Sequence, residues 1–205
     1  MKTCEKCIYR EHIQKNIEVS KNSVIFNEGD SIESLFFIKE GTVKLTKLYK
    51  NGVEKVMDVL RDGDFIALLT LLQNKDCYLV TATALEDCVL EVIKREDALV
   101  NYETNINFKE TCMKCAAHRL ENFHNQLYST SDLDPEEKIM NTLTHLYNKF
   151  GYMKNKSHYV KLPISKTDFA NMVGLRRETL SRKLSKLQKE GKIDYIKNIY
   201  EFKNM

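Results

Sequence analysis

The spacing of apolar and polar positions changes character twice along the chain. From Glu18 to about Ile93 the apolar residues come in short runs, among them Val24-Ile25-Phe26 and Leu35-Phe36-Phe37-Ile38. Each run is closed by a turn: Glu28-Gly29-Asp30, Glu40-Gly41, Asp62-Gly63-Asp64. Thr42–Leu48 alternates, which directs Val43, Leu45 and also Leu48 toward a core. Val56, Met57 and Val59 form the next run, and Asn51-Gly52 between the two is a strong hairpin signal. Every glycine before residue 100 falls at such a turn, which predicts a compact antiparallel β-barrel or roll.

The period then lengthens. A short helix is expected around Lys94–Val100, and a long one from about Asn105 to Tyr128. In the long one Ile106, Met113, Leu120 and Leu127 recur every seven residues, with Ala116 and Phe123 in the complementary positions. This is an a/d seam over three heptads. A buried helix of a monomer carries a similar stripe, but a strict period of seven favours a partner helix. Ser129-Thr130-Ser131-Asp132 breaks the pattern and reads as a hinge.

Asp134-Pro135-Glu136-Glu137 restarts a helix with a cap, a first-turn proline and first-turn acids. Its inner stripe is Ile139, Leu143, Leu146 and Phe150, and Gly151 ends it. A short strand over Tyr159–Leu162 leads to the segment Ser165–Gly191. There, Ser165 and Asp168 form a capping box, with Phe169, Ala170 and Val173 facing inward. Gly174 supplies a tight turn, and a second helix from about Arg176 shows the stripe Leu180, Leu184, Leu187. This is a helix-turn-helix. Ile193, Tyr195 and Ile196, then Ile199, Tyr200 and Phe202, add a hairpin about Lys197-Asn198, so a winged helix is expected.

The exposed face of the second helix carries Arg177, Glu178, Ser181, Arg182 and Lys186. An arginine fork can bond guanine O6 and N7 together, and a carboxylate can accept from cytosine N4. Arg177, Glu178 and Arg182 therefore suit base contacts, and Lys183 and Lys186 suit phosphates. Arg176, Thr179, Ser165, Lys166 and Thr167 complete the expected DNA-binding set. A solvated charged face on an ordinary helical hairpin is the bland alternative.

At these residues the chain resembles the CRP/FNR family of bacterial transcription regulators. The run Gly174-Leu175-Arg176-Arg177-Glu178-Thr179-Leu180-Ser181-Arg182 looks like that family's recognition helix. The turns within FNEGD, IKEGTVKL and LRDGDFIALL look like those of its cyclic-nucleotide-binding roll. The resemblance implies an α+β chain divided into an N-terminal segment and antiparallel β-roll (1–103), a dimerisation helix and hinge (104–131) and a winged helix-turn-helix domain (132–205). It also implies a homodimer reading palindromic double-stranded DNA with T-G-A half-sites, and contact with RNA polymerase if it activates transcription. Cyclic-nucleotide binders carry Gly-Glu after the Gly-Asp-Phe turn and Arg-Ser further on. Here Ala67-Leu68 and Asp76-Cys77-Tyr78-Leu79 stand in those places, so cyclic AMP is not expected.

The 205 residues are 42% hydrophobic, and no apolar run spans a membrane; with no signal-peptide stretch at the N-terminus, a cytoplasmic protein is expected. Net charge is +3, unevenly spread. Thr130–Met205 holds 15 Lys+Arg against 9 Asp+Glu (+6), and the rest holds 17 against 20 (−3), so the base-reading half is the basic half. No phosphate-cradling loop, nucleophile–base set or metalloprotease motif points to an enzyme. The six cysteines argue for thiol, metal or redox work. Cys4 and Cys7 form one C-x-x-C pair, Cys112 and Cys115 another on the dimer helix, with His118 and His124 nearby. Some FNR-type members hold an oxygen-labile iron–sulfur cluster. Four thiolates suit such a cluster or tetrahedral zinc, one pair suffices for a disulfide switch, and reduced unligated thiols complete the alternatives. Cys77 and Cys88 are expected as buried core thiols. The competing function is a non-DNA regulatory module whose roll controls a partner protein.

Overall fold

The short apolar runs become strands because each is closed by a residue able to turn the chain. The structure is a computed structural model; it describes residues 15–203 apart from Asn51 and 131–133, with the backbone alone at 122 and 125–130. It divides into two compact units, Met1–Leu120 and Glu121–Met205.

In the first unit, β1 (Lys15–Val19), β8 (Cys88–Lys94), β3 (Ser34–Glu40) and β6 (Phe65–Ile66) form one sheet, in that order. The other sheet runs β2 (Val24–Phe26), β7 (Thr81–Ala84), β4 (Thr42–Leu48) and β5 (Glu54–Arg61). All pairings are antiparallel. Ile38, Val43, Leu60, Ile66, Ala82 and Leu90 make an apolar core within the roll. Gly41, between β3 and β4, has φ +108°, and a Cβ there would lie 2.6 Å from Cys88 Sγ. Only glycine allows that approach.

Two expectations fail here. Val43 and Leu45 are buried, but Leu48 is 65% exposed. Thr46 on the same face of β4 is buried; Leu48 is the last residue of the strand, paired with exposed Glu54 at the turn end of the β4–β5 hairpin, where the core has run out. Cys88 is buried as expected, and burial pushes its thiol pKa up. Cys77 is exposed, because its neighbour Tyr78 takes the inward position. The Tyr78 ring stacks on Phe26 at 3.8 Å between centroids, and its hydroxyl donates to Ser34 O at 2.8 Å.

A second core lies where α1 (Leu68–Leu72), α2 (Arg95–Thr104) and α3 (Ile106–Thr130) meet the roll. Leu35, Phe65, Leu68, Leu71, Ile93, Ala98, Phe108 and Cys112 fill it. Phe108 meets Phe65 edge-on, 6.2 Å between centroids.

In the second unit α4 (Pro135–Phe150) precedes β9 (Gly151–Lys154), β10 (Ser157–Lys161), α5 (Lys166–Val173), α6 (Arg177–Lys189), β11 (Ile193–Ile196) and β12 (Ile199–Phe202). The strands order as β11-β12-β10-β9, and β11–β12 is the expected wing hairpin. β9 was not legible in the sequence pattern, since all four of its residues are exposed and nothing alternates. No helix among the described residues is long and apolar enough to cross a membrane.

Candidate nucleic-acid interface

The helix-turn-helix forms from local signals. Ser165 Oγ accepts from Asp168 N at 3.0 Å and donates to Asp168 Oδ2 at 2.8 Å, closing the N-terminus of α5. Phe169, Ala170, Met172 and Val173 are buried. Gly174 adopts φ +79° and ψ 31°, the left-handed conformation that stops a helix, and Leu175 N then bonds back to Ala170 O at 2.9 Å. Extended Arg176 begins α6 without a side-chain cap.

Leu180, Leu184 and Leu187 are fully buried and fix the roll angle of α6. At about 100° per residue, Glu178, Arg182, Ser185 and Lys189 point directly away from that row. All four are exposed. Arg177 and Ser181 lie on one flank, and Thr179, Lys183 and Lys186 on the other. Arg177, Glu178 and Arg182 form no ion pair with another described residue, so their polar groups are available to base edges. Ser185 and Lys189 belong to the outward row but were missing from the expected set; counting the helical period from the leucines would have found them. Ser165 and Thr167 are exposed, and Lys166 Nζ lies 5.5 Å from the Tyr195 ring centre.

Lys183 and Lys186, expected on phosphates, both bond a carboxylate of the same unit, though the Lys186 side chain stays 54% exposed. Both Nζ atoms donate to Oε1 of Glu136 on α4, each at 2.8 Å. Lys186 also lies 3.5 Å from Glu190, which pairs with Lys192 at 2.9 Å. Hydrogen bonds from Lys183, then Lys186, lower the Glu136 pKa from 4.5 to about 2. A lowered folded-state pKa contributes stability that is full above the unfolded value and is lost as pH falls from 4.5 toward about 2. Urea midpoints of the wild type should therefore drop more steeply across that window than those of Glu136→Gln. Parallel curves would mean that the carboxylate is not preferentially ionised in the folded state.

α3 carries two apolar stripes. Phe108 and Cys112 are buried against the roll, and Cys115 is half-buried beside them. Arg119, one turn on, donates through its guanidinium to Phe65 O. The heptad positions lie on another face: Ile106, Met113, Leu120 and Phe123 are exposed by 65, 56, 57 and 45%. Ala116 is half-buried, and the Leu127 side chain lies outside the described residues. The heptad stripe is thus not the one that packs on the roll; Cys112 and Cys115 are. Cys4 and Cys7 also lie outside the described residues, and no three His, Cys, Asp or Glu side chains converge as a metal site among those described.

Leu68, where the resemblance leads one to expect the glutamate of a Gly-Glu pair, is a fully buried core residue. Arg95 lies 3.6 Å from Asp76, and Lys47 Nζ donates to Leu79 O at 3.1 Å.

An antiparallel roll joined through a long helix to a winged helix-turn-helix defines the class of the molecule. The cyclic nucleotide-binding domain model matches residues 16–105 and the Crp-like helix-turn-helix model residues 137–205. The chain belongs to the CRP/FNR family of bacterial transcription regulators. It is 24% identical to an anaerobic regulatory protein of Bacillus subtilis, over 89% of this chain and 77% of that one. It is 25% identical to the nitrogen fixation regulation protein FixK of Bradyrhizobium diazoefficiens, over 91% of this chain and 77% of that one. The structure of FixK2 from Bradyrhizobium japonicum shares the fold at TM-score 0.80 and 19% identity, covering 93% of this chain and 92% of its own.

Proposed function

We propose that the protein is a homodimeric, sequence-specific transcription regulator that binds palindromic double-stranded DNA with T-G-A half-sites. The observation that carries this reading is the outward row on α6, where Glu178 and Arg182 stand exposed above a fully buried leucine row. Glu178 and Arg182, with Arg177, read base edges, and Ser165, Lys166 and Thr167 approach phosphates beside them. Two-fold symmetry through the heptad stripe of α3 presents two such helices to successive half-sites. As an activator it would also contact RNA polymerase.

Arg182→Ala should cost about 1–3 kcal/mol of binding to a duplex with inverted T-G-A and T-C-A half-sites and relax preference at one base pair of each. A gel-shift series over single-base variants at fixed salt measures this. Equal losses on specific and random DNA would sink base readout by Arg182.

The signal is assigned to the cysteines, as a redox, oxygen or metal cue rather than cyclic AMP. Cys112 and Cys115 share one face of α3, as a common metal or a dithiol requires, and the Bacillus subtilis relative is named for anaerobic regulation. Cys4 and Cys7 would supply the other two thiolates. Protein purified without oxygen should then show an iron–sulfur absorption band, stoichiometric zinc, or DNA affinity that responds to peroxide. Colourless, metal-free protein indifferent to oxygen and peroxide would remove the cysteines from sensing.

A further inference from the structure

Glu136 stands 47 residues before Lys183 and 50 before Lys186, yet one of its oxygens accepts from both. Its side chain is only 11% exposed, at the first turn of α4, where Asp134 caps the helix by accepting from Glu136 N at 3.0 Å. The carboxylate is therefore fixed, and it offsets part of the positive charge on the flank of α6 that carries lysines. The opposite flank and the outward row keep their cations free: Arg177, Arg182 and Lys189 appear in no ion pair among the described residues.

The two kinds of cation would act differently on DNA. Lysines on phosphates release counterions and bind every sequence alike, whereas base-edge contacts distinguish sequences. A lysine already held on a carboxylate has its position set and part of its charge offset by that bond, and it follows a phosphate beyond that reach only by leaving it. Departure of both would strand a largely buried Glu136 charge without a partner, which is strongly unfavourable.

We propose that Glu136 is a specificity-determining residue that withholds Lys183 and Lys186 from the phosphate backbone, so that the base-reading row carries a larger share of the affinity. This rests on the reading of the protein as DNA-binding. A strut that merely seats α6 on α4 would show the same contacts, and salt dependence separates the two.

The test uses the full chain and fluorescence anisotropy from about 50 to about 200 mM KCl. One duplex carries the inverted T-G-A and T-C-A half-sites, and the other is its scrambled counterpart. Glu136→Gln should steepen the salt slope on the scrambled duplex by about 0.9 for each lysine released onto a phosphate. Scrambled DNA should then bind about tenfold tighter at low salt, and the specificity ratio should fall by a similar factor. Adding Lys183→Gln and Lys186→Gln to that variant should remove the increment. Lys183→Gln alone, in the otherwise unaltered protein, should leave the slope where it was. Circular dichroism reports folding, and if Glu136→Gln does not fold, Lys183→Gln alone decides. A folded Glu136→Gln with unchanged slope, or a flattened slope for Lys183→Gln alone, would overturn the proposal. Failure of the DNA reading looks different: the wild type would bind both duplexes alike, while the scrambled-duplex slopes would still judge Glu136.

Discussion

Leu120→Glu should convert the proposed dimer to a monomer at micromolar concentration while leaving each unit folded. Leu120 is 57% exposed, so a carboxylate there costs the single chain little. In a two-fold helix pair the same position faces its copy or the adjoining seam residues, and apolar contact is what holds the pair together. A charge buried there without a partner costs several kcal/mol. The dissociation constant should therefore rise by about a thousandfold or more, the equivalent of about 4 kcal/mol. Affinity for the inverted-repeat duplex should fall with it, because the second half-site loses the gain of linkage, on the order of a hundredfold or more. Sedimentation and light scattering measure the first effect, anisotropy the second. A variant that still sediments as a tight dimer would move the interface away from this stripe.

What the sequence made legible, and what it did not, follows from how far apart the interacting residues lie. The helix-turn-helix could be read almost residue by residue because its signals are local. Ser165 reaches three residues to its partner, Gly174 stops the helix itself, and the leucines repeat within one element. The turns of the roll were legible for the same reason. Leu48 was misassigned because its strand runs past the core at the turn end, and Cys77 because its neighbour Tyr78 takes the inward position. The inner face of α3 was missed since Cys112 and Cys115 were read as chemistry, and Phe108 and Arg119 fell outside the heptads. The hold of Glu136 on two lysines could not be seen at all. It joins the start of α4 to α6 across about 50 residues, and a first-turn glutamate has a sufficient local explanation in the helix dipole.

The inner face of α3 leads to the other large effect, Phe108→Ala. Phe108 is 1% exposed and touches Phe65 edge-on; Phe65 in turn meets Phe37 at 5.2 Å between centroids. The ring thus closes a chain of aromatic contacts that runs from the long helix into the roll. Truncation removes that contact area and leaves a cavity among Leu35, Leu71, Ile93 and Cys112, side chains held by two strands and two helices and so unable to collapse into it. The expected loss is about 3–5 kcal/mol, a large fraction of the roughly 5–15 kcal/mol that holds a domain folded. Met113→Ala on the exposed stripe should instead leave the unfolding midpoint of the dissociated chain nearly unchanged and weaken dimerisation. Urea titration of both variants in the Leu120→Glu background isolates the first effect, since dissociation is already complete there. Equal destabilisation by Phe108→Ala and Met113→Ala in that background would mean that the two faces of α3 are not divided between roll and partner.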